Sequence, residues 1–207
     1  MDIIAHRGLC LAGEIPNSRE SLIAALREGF GIETDIRDHC GELIISHDPY
    51  VEGDIFLLSD LLEHYKILGA STKLALNIKS SGLGSRLLDL VNKLDIQNYF
   101  VFDMALPDSV YYTKIGLNVY ERVSEIESPA LEKLTPTGLW VDQFWSNWYP
   151  LGSQDSYKGR PRCVVSPELH KRDNYLTYWD KLKPHSNDPA LSICTDYPFE
   201  ARNFFHD

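Results

Sequence analysis

Short apolar runs recur along this chain, and most are followed by a segment with apolar residues at helical spacing. The runs are Asp2 to Ala5, Gly31 to Asp35, Lys73 to Ile78, Tyr99 to Asp103, Leu117 to Arg122, Gly138 to Phe144, Cys163 to Ser166 and Leu191 to Asp196. Helical patterns occupy Leu57 to Leu68, Leu87 to Leu94, Leu106 to Ile115, Tyr175 to Leu182 and Phe199 to Phe205. A further helix carries Leu22, Ile23 and Leu26 as its apolar stripe, and the spacing predicts Asn17 as its cap, with Glu20 reaching back. Continuous apolar strands alternating with helices specify a parallel sheet covered by helices. About eight such units predict a closed (β/α)8 barrel of the α/β class, and 207 residues is short for that architecture. No repeat, low-complexity tract or linker divides the sequence, so residues 1–207 are expected to form a single barrel domain.

A parallel barrel collects its functional groups at the C-terminal ends of its strands. The polar residues here fall where that rule puts them: His6 and Arg7, Glu33 and Asp35, Asn77 and Lys79, Asp103, Glu121 and Arg122, Asp142, Glu168 and His170, and Asp196. The stretch Gly31 to Pro49 is the densest. Glu33 and Asp35 stand two apart and so project from one face of a strand, and the apolar segment from Glu42 to Ser46 delivers His47 and Asp48 before Pro49. Paired carboxylates with a histidine at the next strand end suit a hard cation with an acid-base group beside it.

Net charge is −10, which excludes broad attraction to nucleic acid or to an anionic membrane. A phosphate-bearing ligand would need a local cation cluster or a metal. No segment approaches the ~20 apolar residues of a membrane span. Asp2 stands where a signal peptide has its basic region, so the expected location is cytoplasmic. Cys10, Cys40, Cys163 and Cys194 are scattered singly, without metal-ligand spacing, and read as reduced thiols.

At this point the chain resembles the glycerophosphodiester phosphodiesterase family. The matching pieces are Ala5-His6-Arg7-Gly8, the Asn17-Ser18 turn with its helix, Glu33-Thr34-Asp35, His47-Asp48, the strand end at Lys79, and Thr195-Asp196-Tyr197-Pro198. The resemblance implies a TIM-type barrel that cleaves a small-molecule phosphodiester of lipid metabolism with help from a divalent cation. By that resemblance His6 and His47 act as general base and general acid. Glu33 and Asp35 hold Mg2+ or Ca2+ with Asn77 at the third ligand position, and Arg7 and Lys79 meet the phosphate oxygens. Family members commonly attack through a neighbouring substrate hydroxyl, giving a cyclic phosphate that water then opens.

The chain departs from the family pattern in three respects. Asn77 stands where the family's Glu-x-Lys supplies a third metal-binding glutamate, and it brings no charge; Glu121 or Glu168 is the alternative donor. Ile15-Pro16-Asn17 lacks the glutamate of the family's Pro-Glu-Asn. Only Pro49 to Ile55 separates His47-Asp48 from the next helical pattern, so the family's insertion after that pair is missing and the mouth is expected to be open. The retained histidines favour a phosphodiester hydrolase, whereas Asn77 favours the alternative, a catalytically reduced barrel that binds a phospholigand or serves assembly. Asp196 reads as a turn-former bracing the last strand. Trp140, Trp145 and Trp148 read as one aromatic cluster, serving as core or as a wall for the leaving group.

Overall fold

The computed structural model describes residues 1–10, 13–128, 134–150, 157 and 159–206. In chain order its elements are β1 (Asp2–His6), α1 (Arg19–Arg27), β2 (Gly31–His39), β3 (Glu42–Ile45), α2 (Leu58–Ile67), β4 (Leu74–Ile78), α3 (Gly84–Lys93) and β5 (Tyr99–Phe102). There follow α4 (Leu106–Ile115), β6 (Tyr120–Val123), β7 (Gly138–Val141), β8 (Arg162–Val165), α5 (Tyr175–Leu182), β9 (Leu191–Thr195) and α6 (Pro198–His206). The sheet order is β5-β4-β2-β1-β9-β8-β7-β6, parallel between neighbours. The two ends of this order meet at a parallel bridge between Val101 and Val119, where Val101 N donates to Asn118 O at 2.8 Å. Eight parallel strands therefore close into the expected (β/α)8 barrel.

The extended segments read at Gly31 to Asp35 and Glu42 to Ser46 are both strands, and the structure adds how they pair. β2 runs past Asp35 to His39 and returns as β3 in an antiparallel hairpin, with Ile36 opposite Ile45. Cys40 and Gly41, both at positive φ (49° and 88°), make the two-residue turn whose twist matches the strands. β3 lies off the barrel order, paired with β2 on one side and bridged to Leu57 through Ile44 on the other, so the hairpin arm stands outside the barrel wall and carries His47 at its end.

Strand alternation sorts the core in two. Ile4, Ala75, Phe100, Phe102, Tyr120, Trp140, Cys163, Val165 and Cys194 fill the barrel interior. Phe100 stacks on Tyr120 with ring centroids 3.8 Å apart, and Phe102 stacks on Trp140 at 3.9 Å. The opposite strand faces pack with the helices, where Leu22, Leu61, Leu87, Tyr112, Trp179 and Ala201 are all buried. Residues two further along each strand keep the inward direction. Beyond Ile4 comes His6, beyond Ala75 Asn77, beyond Tyr120 Arg122, beyond Trp140 Asp142, and beyond Cys194 Asp196. An apolar plug thus floors a polar mouth.

The tryptophans do not form one cluster. Trp140 belongs to that plug, Trp145 is 69% exposed, and Trp148 donates from Nε1 to the Asp142 carbonyl at 2.8 Å. The cap of α1 also differs: Ser18 Oγ accepts from Ser21 N, and Asn17 is free for another task. Among the described residues, no helix is long and apolar enough to cross a membrane.

Close packing inside the wall explains Gly138, where an added Cβ would lie 2.4 Å from Tyr120 Cε1 and 2.7 Å from the Pro161 carbonyl oxygen. Tyr120 cannot yield because its ring is pinned against Phe100. Gly138→Ala is expected to destabilise the barrel by about 1–3 kcal/mol. Urea unfolding should show this as a lower midpoint with an unchanged m-value.

Candidate active site at the barrel mouth

Asp35, wholly buried on β2, is the hub of the mouth. Arg7 Nε lies 3.0 Å from Oδ2, Lys79 Nζ lies 3.3 Å from Oδ1, and Asn17 Nδ2 donates to Oδ2 at 2.8 Å. The Asn17 side-chain carbonyl accepts from Thr34 Oγ1 at 2.8 Å, so the entry loop of α1 is clamped to β2. Asn17 does this from the left-handed region (φ 64°), which asparagine tolerates better than most residues. The His-Arg-Gly turn is equally constrained. Gly8 sits at φ 89°, and a Cβ there would come within 2.5 Å of the Ser21 backbone, so this glycine lets α1 start directly above β1.

His6 lies beside this hub. Its Nδ1 is 2.8 Å from Asp196 Oδ1, and its Nε2 is 3.9 Å from Glu33 Oε2. Burial alone would lower the basicity of the ring, but the Asp196 hydrogen bond and the Glu33 and Asp196 charges outweigh burial and Arg7, leaving the pKa above the ordinary 6.5. Glu33 is 2% exposed and accepts from Asn77 Nδ2 at 3.2 Å. Burial pushes its carboxyl up, as does the Asp35 charge, against the opposing pull of His6, Arg7 and the Asn77 bond.

A cation-binding set can be tested by its unclaimed oxygens. Glu33 Oε2 and Asn77 Oδ1 are buried and lack a hydrogen-bond partner, and Asp35 Oδ1 is met by the Lys79 ammonium alone, at 3.3 Å. Unmatched oxygens of this kind are costly in a dry site and suit a hard cation such as Mg2+ or Ca2+. No three His, Cys, Asp or Glu side chains gather as ligands among the described residues, so a third donor beside Glu33 and Asp35 would have to be the Asn77 amide. The acids considered as its replacement are not placed for the task. Glu168 already accepts from Ser166 Oγ and Thr195 Oγ1, each at 2.5 Å, and from Asp196 N at 3.2 Å. Glu121 follows inward-facing Tyr120 and so lies on the other face of β6.

His47 stands on the hairpin lip, half exposed, with Nδ1 2.9 Å from Asp48 Oδ1. Arg37 ties this lip to the barrel, donating from Nε to the His47 carbonyl and from Nη1 to the Lys79 carbonyl, each at 2.9 Å. His47 and Arg7 line one cleft of about 790 Å³, together with Pro16, Asn17, Ile55 and Phe56. The structure therefore gathers His6, Arg7, Glu33, Asp35, Asn77 and Lys79 in one cluster and sets His47 across a cleft that reaches it. Sequence reasoning placed Asp196 at a strand end and Asn17 at the first helix but gave them other roles, a turn-former and a cap, instead of partners of His6 and Asp35. Barrel closure carries the signal for Asp196, because β9 pairs with β1 at Thr195 and Ala5 and brings the following residues together.

Across the mouth, Arg122 joins Asp103 at 3.1 Å and Glu127 at 2.6 Å, and His170 Nε2 meets Asp142 Oδ1 at 2.5 Å. Burial raises the Asp103 pKa despite Arg122.

Neither a protein-family model nor a curated protein matches the sequence. Solved structures do. A glycerophosphodiester phosphodiesterase from Parabacteroides distasonis is similar at 20% identity with a TM-score of 0.71, covering 99% of this chain and 96% of that one. One from Agrobacterium tumefaciens gives 16% identity and 0.69, with 99% and 98% covered. An Oleispira antarctica phosphodiesterase, in complex with its product sn-glycerol-3-phosphate, gives 17% and 0.66, with 100% and 97% covered. At these identities the likeness shows the fold: this chain has the barrel of those phosphodiesterases.

The Arg122 network makes stability depend on acid. The Arg122 hydrogen bond, ahead of burial, lowers the Glu127 pKa below its ordinary 4.5. Its contribution is thus full above that value and is lost as pH falls through the depressed one. The gap in melting temperature between wild type and Glu127→Gln should hold near neutral pH and close below it, measured by thermal unfolding from about pH 7 to pH 2.

Proposed function

We propose that the protein hydrolyses phosphodiesters of glycerol, or of a related alcohol, with the help of a divalent cation, residues 1–207 acting as one barrel domain on a small molecule in the cytoplasm. The observation that carries this reading is His6 held at Nδ1 by Asp196 beside two buried carboxylates, Glu33 with Oε2 lacking a hydrogen-bond partner and Asp35 flanked by Arg7 and Lys79. An acceptor at Nδ1 keeps the proton there and leaves the Nε2 lone pair as a base.

Glu33, Asp35 and Asn77 would hold the cation, and two charges with one amide imply weaker affinity than three carboxylates would give. Bound there, Mg2+ or Ca2+ would stabilise charge on the phosphoryl oxygens and ease ionisation of a coordinated hydroxyl. Arg7 contacts Asp35 through Nε, and its guanidinium carries further donors for a phosphate oxygen. Lys79 offers a second positive charge from the opposite side of Asp35. His6 Nε2 takes the proton from the substrate's neighbouring hydroxyl, whose oxygen bonds to phosphorus. The bond to the leaving alcohol breaks, and His47, from the far lip, protonates that alcohol. In the second half His47 deprotonates water, which opens the cyclic phosphate, and His6 returns its proton to the ring oxygen that departs.

One observation favours the second reading, a barrel that binds a phospholigand without turnover: both cations meant for phosphate already neutralise Asp35. Assay of a panel of glycerophosphodiesters with and without Mg2+ or Ca2+ separates the two. Metal-dependent turnover is expected, with His6→Ala lowering kcat/KM by about 10²- to 10⁴-fold. Asn77→Glu, which restores a third carboxylate, should lower the metal concentration needed for half-maximal activity. No turnover across the panel, with phospholigand binding intact, would establish the second reading.

A further inference from the structure

We propose that Glu168 is a positioning residue that acts on His6 through Asp196. The proposal rests on the phosphodiesterase reading for its consequence but not for its geometry. Glu168 lies in the 3-10 turn Pro167–His170 that follows β8, next to the end of β9. Its Oε1 accepts from Thr195 Oγ1 at 2.5 Å and from the backbone N–H of Asp196 at 3.2 Å, and its Oε2 accepts from Ser166 Oγ at 2.5 Å. Ser166 Oγ in turn accepts from Trp179 Nε1 at 2.8 Å, and Trp179 is wholly buried on α5. A line of hydrogen bonds thus runs from a rigid aromatic anchor, through Ser166 and Glu168, to the backbone that carries Asp196.

Asp196 needs such support. Its side chain is 43% exposed, so burial does little to select the rotamer that puts Oδ1 2.8 Å from His6 Nδ1. Fixing the peptide at Asp196 and the side chain of Thr195 removes backbone freedom that would otherwise let the carboxylate swing away. The chemistry of the three donors explains why an acid stands at position 168. Two hydroxyls and one N–H all point at it, and an ionised carboxylate is the side chain that accepts them without donating. A glutamine keeps the Oε1 bonds but must turn an N–H toward Ser166 Oγ, which already accepts from Trp179. The same occupancy explains why Glu168 does not serve as the missing metal ligand.

The test reads the His6 tautomer directly, by long-range proton–nitrogen NMR on protein labelled at histidine nitrogen, alongside steady-state kinetics on the most active diester of the panel. Wild type should show the Nδ1–H form of His6. Glu168→Ala should give a mixture of tautomers and a fall in kcat of roughly tenfold to 100-fold, with KM within about twofold. Glu168→Gln should recover most of both signals, and Thr195→Val, which removes one donor and is the safer variant to fold, should show the same tautomer change in weaker form. If Glu168→Ala and Thr195→Val lower thermal stability while the His6 signature and kcat stay as in wild type, the positioning role is overturned and Glu168 is a brace. If the tautomer responds but wild type turns over no diester, the positioning holds and the phosphodiesterase reading falls.

Discussion

A carboxylate at zero exposure must be matched, because stripping a charge of water costs several kcal/mol and an unpaired buried acid is strongly destabilising. Asp35 imposes this requirement, and much of the mouth is the answer to it. Arg7 comes from the end of β1, Lys79 from just beyond β4, and Asn17 from the entry to α1. They lie on three separate segments, so satisfying one side chain fixes the end of β1, the entry to α1 and the end of β4 relative to β2. The positive φ values at Arg7, Gly8 and Asn17 follow from the sharp path that the chain takes to bring Arg7 and Asn17 to one carboxylate. Charge balance there leaves Glu33 as the acid whose pKa burial raises, beside a histidine whose pKa is raised in turn.

The opposite half of the mouth uses different means. Glu168 is satisfied by hydroxyls and a backbone N–H instead of by cations, and Asp142 is satisfied by His170. The barrel's apolar plug separates this polar layer from the other end of the sheet. Rings stacked within the plug hold β5, β6 and β7 together, where the wall closes through one bridge between Val101 and Val119.

Much of this was legible beforehand. Alternation of apolar strands with amphipathic helices pointed to the barrel, and α4 and α5 begin and end where their periodicity placed them. Elsewhere local rules gave the wrong partner. Asn17 has the right chemistry for a helix cap, but Ser18 supplies that bond and Asn17 answers the stronger demand of a buried carboxylate. The run before His47 is extended as its composition suggests, and its partner, β2, is fixed by the two-residue turn at Cys40 and Gly41. Trp140, Trp145 and Trp148, close in sequence, end up in the plug, in solvent and against a loop carbonyl.

The sequence by itself determined the architecture and the chemistry available at its mouth, because period and strand-end composition are local properties that a barrel reads in only one way. It also placed His6, Glu33, Asp35, Asn77 and Lys79 on strand ends that converge. Only the tertiary structure decided how their atoms are shared. Whether an oxygen of Asp35 faces a lysine, or which carboxylate meets His6, depends on contacts between residues as far apart as His6 and Asp196, 190 positions along the chain. Such pairings are set by closure of the wall and by competition among buried polar groups for partners, and neither is written in any local stretch of residues.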